Sequence, residues 1–290
     1  MFRKSFGFAG AALLLSLLLQ SSSAQDFQKS YSLAENSKIG IKNIAGNVQV
    51  KGYDGTEIQV TAVKEGRDKD LLSIEDFSNN GRVDIRVKYP QNCNCEASIH
   101  FNVRVPRAFN YDYDAISTVG GNLTIDDVRG MVRADNVSGF ILLRNVTGTL
   151  YASSFSGDVT VEQAAETATR GNGRWRRGYQ RFRPGDLPAG SILAQSVSGN
   201  VKVMLSRLDE AGTRQMEFGS VSGNVEVRVP ESLGAFVEMT TLVGKVEIDF
   251  PLVIIKDVLG LGTSARGQVG DGSRKLKISS TAGNLSLRKN

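Results

Sequence analysis

Histidine, cysteine and proline are scarce in this 290-residue chain, which has one, two and six of them. A single histidine and two cysteines leave almost nothing for a histidine-based catalytic triad or a multi-cysteine zinc site. Six prolines without a strict glycine triplet exclude a collagen-like or proline-rich chain. Charge of one sign is in short supply too, at 35 basic against 30 acidic residues. What remains is ordinary globular material, 40% hydrophobic and 22% charged, enough for a core and too apolar for a disordered chain. The length admits about two domains on the usual prior of ~150 residues each. Glycine is the exception: 31 residues, well above the typical ~7%. No catalytic residue, metal or cofactor is expected from this inventory.

Long apolar runs are confined to the start. Arg3 and Lys4 precede a stretch from Phe6 to Leu19 interrupted only by Ser16, and Ser22-Ser23-Ala24 supplies small residues for a peptidase. That is the plan of a secretory signal, and the run is too short for a membrane span. Residues 1–24 are therefore expected to be a signal peptide, and the mature chain to be exported to the periplasm, the outer surface or the medium. Pro251 to Gly262 is also apolar but carries Lys256 and Asp257, so no span is expected in the mature chain. Taking away Arg3 and Lys4 leaves a net charge of +3, and segment 163–189 alone carries +4. The basic balance is thus one segment's property, and the remainder sums to −1.

The glycines are periodic. Gly121, Gly130, Gly139, Gly148 and Gly157 fall nine residues apart. Apolar residues sit two before and two and four after: Val119, Leu123 and Ile125 around Gly121; Val137, Ile141 and Leu143 around Gly139; Phe155, Val159 and Val161 around Gly157. At Gly130 and Gly148 the last position is small, Ala134 and Ala152, so the true unit is eighteen residues made of two unlike halves. The pattern returns at Gly46, Gly199, Gly223 and Gly244, and Gly283 closes the series. Strict alternation means strands with one buried face, and the glycine is read in phase with the buried set. Strands too short to bury a face alone need stacked neighbours, so Val119, Val137 and Phe155 should stack at ~4.8 Å per coil. The expected fold is all-β, a β-solenoid of ~18–24-residue coils; a sandwich of hairpins is the alternative. Gly190 to Val203 repeats Gly148 to Val161 position for position, which marks about 24 inserted residues between successive units.

Residues 25–115 are less regular, with strands expected at Ile39–Ile41, Val48–Val50, Ile58–Val63, Val83–Val87 and Ile99–Val105. This region is read as a cap or first part of the stack, and residues 116–290 as the repeats. Leu33 to Val50, Phe101 to Pro106 and the Val-Ser-Gly-Asn-Val units at 197 and 221 resemble a bacterial family of exported adhesin-like β-strand-repeat proteins, a domain of unknown function. The resemblance implies an envelope location and a β-solenoid, and brings no catalytic residues with it. The arginine-rich insertion is not part of the family's pattern.

Few residues are candidates for chemistry. Cys93-Asn94-Cys95 reads as a turn in which a strained local disulfide, a free or intermolecular pair, and a metal or redox site are open readings; export favours oxidation. His100 lies opposite Ile99, Phe101 and Val103 and reads as a solvated strand residue. Asp112 and Asp114 share a face, with Asp126, Asp127 and Asp135 near in sequence; paired carboxylates suit polysaccharide chemistry, while aspartates at corners more often form turns. The insertion interleaves Arg170, Arg174, Arg176, Arg177, Arg181 and Arg183 with Trp175, Tyr179 and Phe182. Guanidinium groups pair with phosphate, sulfate or carboxylate, and aromatics stack on bases or sugars; a solvated loop is the plainer reading. The sequence therefore points to a non-enzymatic, exported adhesin-like module of the bacterial envelope. A polysaccharide-active enzyme on a β-solenoid, or binding of nucleic acid or anionic glycan through the insertion, is the alternative. The partner is left open, with an envelope polysaccharide or another anionic polymer as the candidates.

Overall fold

A computed structural model describes residues 25–163, 188–206, 208, 215–256 and 262–290. Residues 1–24, where a signal peptide is expected, and most of the arginine-rich insertion lie outside the described residues. The described chain is all-β, with one short 3-10 turn at Lys69–Leu71. Its strands fall in chain order. The first seven are β1 (Phe27–Tyr31), β2 (Lys38–Lys42), β3 (Val48–Tyr53), β4 (Ile58–Gly66), β5 (Ser73–Asp76), β6 (Arg82–Lys88) and β7 (Ala97–Pro106). Then come β8 (Asn110–Gly120), β9 (Leu123–Asp126), β10 (Arg129–Ser138), β11 (Ile141–Arg144), β12 (Thr147–Ser156) and β13 (Val159–Gln163). After the insertion follow β14 (Ile192–Ser198), β15 (Val201–Leu205), β16 (Gln215–Ser222), β17 (Val225–Val229), β18 (Ala235–Val243) and β19 (Val246–Ile248). The last four are β20 (Val253–Lys256), β21 (Thr263–Val269), β22 (Arg274–Ala282) and β23 (Leu285–Lys289).

These strands make two large mixed sheets. The first has eleven strands in the order β1-β4-β7-β3-β9-β11-β13-β15-β17-β23-β19, and the second twelve, β20-β21-β18-β22-β16-β14-β12-β10-β8-β2-β6-β5. From β8 to β17 the chain steps alternately between them, adding one parallel strand to each sheet in turn. Val132 pairs with Leu150 and Ile141 with Val159, the eighteen-residue offset read from the glycines. Across the insertion Leu150 pairs with Ile192 and Val159 with Val201, so the rungs on either side meet directly. The same two sheets run back without a break through β2 and β3, which pair in parallel with β8 and β9.

Inward residues of both sheets, among them Leu123, Ile125, Val132, Leu143, Phe218 and Leu287, form one continuous apolar cluster. Fully burying each such side chain is worth roughly 1.5–3 kcal/mol, which is how strands of four or five residues hold together. The glycines form columns at the corners. At Gly139, φ is +117°, a conformation side-chain-bearing residues rarely adopt, and a Cβ there would collide with the carbonyl oxygen of Gly121 on the preceding rung. The same clash, each with the glycine before, would meet a side chain along Gly121, Gly139, Gly157, Gly199, Gly223, Gly283 and Gly244, and at Gly46, which starts the column, with the Ile99 carbonyl. Gly283 therefore does not close the series in space. β22 and β23 insert between β16–β17 and β18–β19, so Gly283 precedes Gly244.

Two further ladders hold the glycine corner. Three residues before the glycine, a small polar side chain points inward: Thr118 Oγ1 donates to Gly46 O at 3.0 Å, Asn136 Nδ2 to Gly121 O at 2.9 Å and Ser220 Oγ to Gly199 O at 2.8 Å. Ser196, Ser280 and Thr241 do the same. Ser154 sits at the equivalent place, but its buried hydroxyl finds no partner among the described residues. One residue after the glycine, an asparagine side chain accepts the next rung's backbone N–H: Asn47 from Asn122, Asn200 from Asn224, Asn224 from Asn284 and Asn284 from Lys245.

Candidate interaction surface

The corner geometry corrects one expectation. On β10 the inward residues are Val132, Ala134 and Asn136, and on β11 they are Ile141 and Leu143. Even positions give way to odd ones across the turn at Val137–Phe140, so the alternation changes phase at the corner. The apolar residue two before the glycine thus points out, not into the core, and the glycine itself is only partly covered. Val119, Val137 and Phe155 do follow one another from strand to strand, but on the outside. Ile44, Val119, Val137, Phe155, Val197, Val221 and Leu242 are between 38% and 60% exposed, with Thr281 filling the one polar place in the column.

Columns on either side of this stripe carry little charge. Toward the strand centre lie mainly Ser117, Ser153, Gln195, Gly219 and Ser279; beyond the corner runs the asparagine ladder. The charged exceptions are Asp135, neutralised by Arg133 at 2.6 Å, and Lys42, Asp158 and Lys245. The outer face of the eleven-stranded sheet is different. Arg144 pairs with Asp126 at 3.0 Å, Arg228 with Glu226 at 2.8 Å, and Arg288 with both Asp249 and Glu247. A shallow groove of about 460 Å³ there is lined by Arg144, Glu162, Met204 and Arg228 among others.

The remaining sequence candidates disperse. Asp112 and Asp114 do share the outward face of β8, where two residues bulge against Arg133 of β10. Each carboxylate is 3.8 Å from Lys38 Nζ, and Asp114 also meets Arg82. Burial raises the Asp112 carboxyl above its usual range, with Lys38 opposing and Asp114 adding to the rise. His100 accepts the Asn47 N–H on Nδ1 at 3.2 Å, taking the place of an asparagine at the end of that ladder. Cys93 and Cys95 are joined as a disulfide with Cα atoms 5.2 Å apart. Arg170, Arg174, Trp175, Arg176, Arg177, Tyr179, Arg181, Phe182 and Arg183 lie outside the described residues. Among the described residues no three His, Cys, Asp or Glu side chains are grouped to hold a metal ion, and no helix is long and apolar enough to cross a membrane.

Both ladders at the corner escaped the sequence reading. The signal was present as a Ser, Thr or Asn three places before nearly every repeat glycine, but alternation alone assigns no direction to it.

No family model and no curated protein matches the chain. Among solved structures it is similar to a candidate cell adhesion protein from Clostridium sporogenes, at 10% identity and TM-score 0.40, covering 91% of this chain and 99% of that one. It is also similar to a candidate adhesin from Bacteroides fragilis, at 14% identity and TM-score 0.41, covering 92% of this chain and 98% of that one. A candidate adhesin from Parabacteroides distasonis matches at 10% identity and TM-score 0.20, over 91% and 96% of the two chains.

Proposed function

We propose that this chain is a non-enzymatic interaction module exported to the bacterial cell envelope, and that its two sheets are the faces of a β-solenoid. One observation carries the reading: the corner stripe and its sparsely charged flanks repeat over eight successive rungs without serving the core. Inward positions hold the stack, so outward positions are free to be chosen for contact. An extended periodic face suits a repeating partner better than a small molecule. The family resemblance supports the same compartment and role, and the solenoid reading rests on the alternate stepping between sheets.

Retention of the mature protein on immobilised envelope polysaccharide, unchanged in Asp112→Asn and Asp114→Asn variants, is the expected result. Turnover of an acidic glycan that either substitution abolishes would replace this reading with the enzymatic one, for which the two carboxylates at Lys38 are the nearest candidates.

A further inference from the structure

We propose that the exposed apolar stripe at the glycine corner is a self-association surface, and that its occupant is a second copy of this chain, packed across a two-fold axis. This rests on reading the outward positions as contact surface, and it names the partner of one of them.

Three observations choose the occupant. The first is pitch. The stripe runs from Ile44 to Leu242 through eight rungs of one parallel-paired sheet, so its side chains recur every ~4.8 Å over about 34 Å. Aliphatic ridges on that spacing interlock along their length only with a surface of the same spacing, and a second copy carries one. The second is charge. The flanking columns are largely serine and asparagine; Asp135 is already paired with Arg133, and the other charges, Lys42, Asp158 and Lys245, are scattered and of both signs, so two such faces meet without burying rows of like charge. The opposite sheet, laced with ion pairs, has no such property. The third is size. Three outward columns about 20 Å wide along the stripe present roughly 700 Å², near the ~800 Å² per partner of a stable interface.

A stripe that meets itself across a two-fold axis runs antiparallel when the axis lies across it and parallel when the axis lies along it, and in either case the middle of one column faces the middle of the other. The middle of the column lies between Phe155 and Val197. Phe155, the stripe's aromatic side chain and 60% exposed, then sits at the interface centre, where binding energy concentrates.

Sedimentation of the exported, signal-cleaved protein tests this. The expected result is a dimer at micromolar concentration that persists in roughly 0.5 M salt, where association between exposed charges would be screened. Phe155→Lys and, separately, Val221→Lys should each weaken dimerisation by about 30-fold or more with unchanged melting, while Phe155→Leu keeps the dimer. A wild-type protein that stays monomeric at about 100 µM overturns the proposal. So does a dimer that both lysine variants retain, or a monomer whose stripe instead binds a glycan in a Phe155-dependent way. The first two of these outcomes leave retention on envelope polysaccharide undecided and the last would support it, so the interaction-module reading stands or falls separately.

Discussion

At the scale of the residue, backbone space decides more than side-chain chemistry. Gly139→Val places a Cβ against the Gly121 carbonyl at a φ of +117°, and should cost about 2 kcal/mol or more, read as a lowered midpoint in chemical denaturation. An unchanged midpoint would show that the corner has room to yield. Asp76 is the residue with the clearest pH signature. Burial opposes its ionisation, but bonds from Lys29 at 2.6 Å, Tyr31 Oη at 2.8 Å and the Ser78 N–H at 2.9 Å outweigh it and hold the carboxyl at about 2, below 3.8. A depressed carboxyl stabilises the fold above its unfolded value, and that contribution fades as pH falls from 3.8 toward about 2. Asp76→Asn should therefore lower stability at pH 7 by about 1 kcal/mol, allowing for the exposed Lys29, and flatten the acid limb of the stability curve. Parallel curves for the two proteins would refute that. The repeat glycines were legible because each is needed once per turn. The direction of Val137 was not, because a one-residue change of phase at a corner leaves the spacing of apolar residues intact.

At the scale of the element, each rung is a strand pair fastened at one corner by an inward hydroxyl or amide. Ser220→Ala removes the donor to Gly199 O and should destabilise by about 1 kcal/mol, whereas Ser154→Ala removes a buried hydroxyl without a partner and should be neutral or stabilising. Equal midpoints for the two variants would mean the ladder contributes nothing measurable. Strands within the repeats were readable from the sequence, since their inward valines, leucines and isoleucines alternate cleanly. The two-sided insertion was readable as well, because Ala152 and Ala194 hold the same place in their units and pair in space. The edge strands β1, β5 and β20 were not expected. Phe-Gln-Lys-Ser-Tyr and Ser-Ile-Glu-Asp are short, half-polar and paired on one side, and nothing in their own composition marks them as strands.

At the scale of the whole molecule, the stack should tolerate loss of what lies outside its register. Deleting residues 166–187 should leave a folded, soluble protein with little change in melting, because β12 pairs with β14 and β13 with β15 directly, and a shorter loop is no harder to close. If the arginines bind anions, the same deletion should abolish retention on heparin and its steep salt dependence. Loss of folding would show that the segment packs into the core. The opposite holds for the last rung. β22 and β23 lie between β16–β17 and β18–β19, so the first of these pairs waits for neighbours made sixty residues later, as the Met216–Leu276 pairing shows. A chain made from its N-terminus could zip its early rungs as they emerge, yet it could not complete the far end until its final strands were free. Those strands then have to enter a gap already bounded on one side, a slow, long-range closure that keeps the distal third open to proteases and chaperones until synthesis has finished.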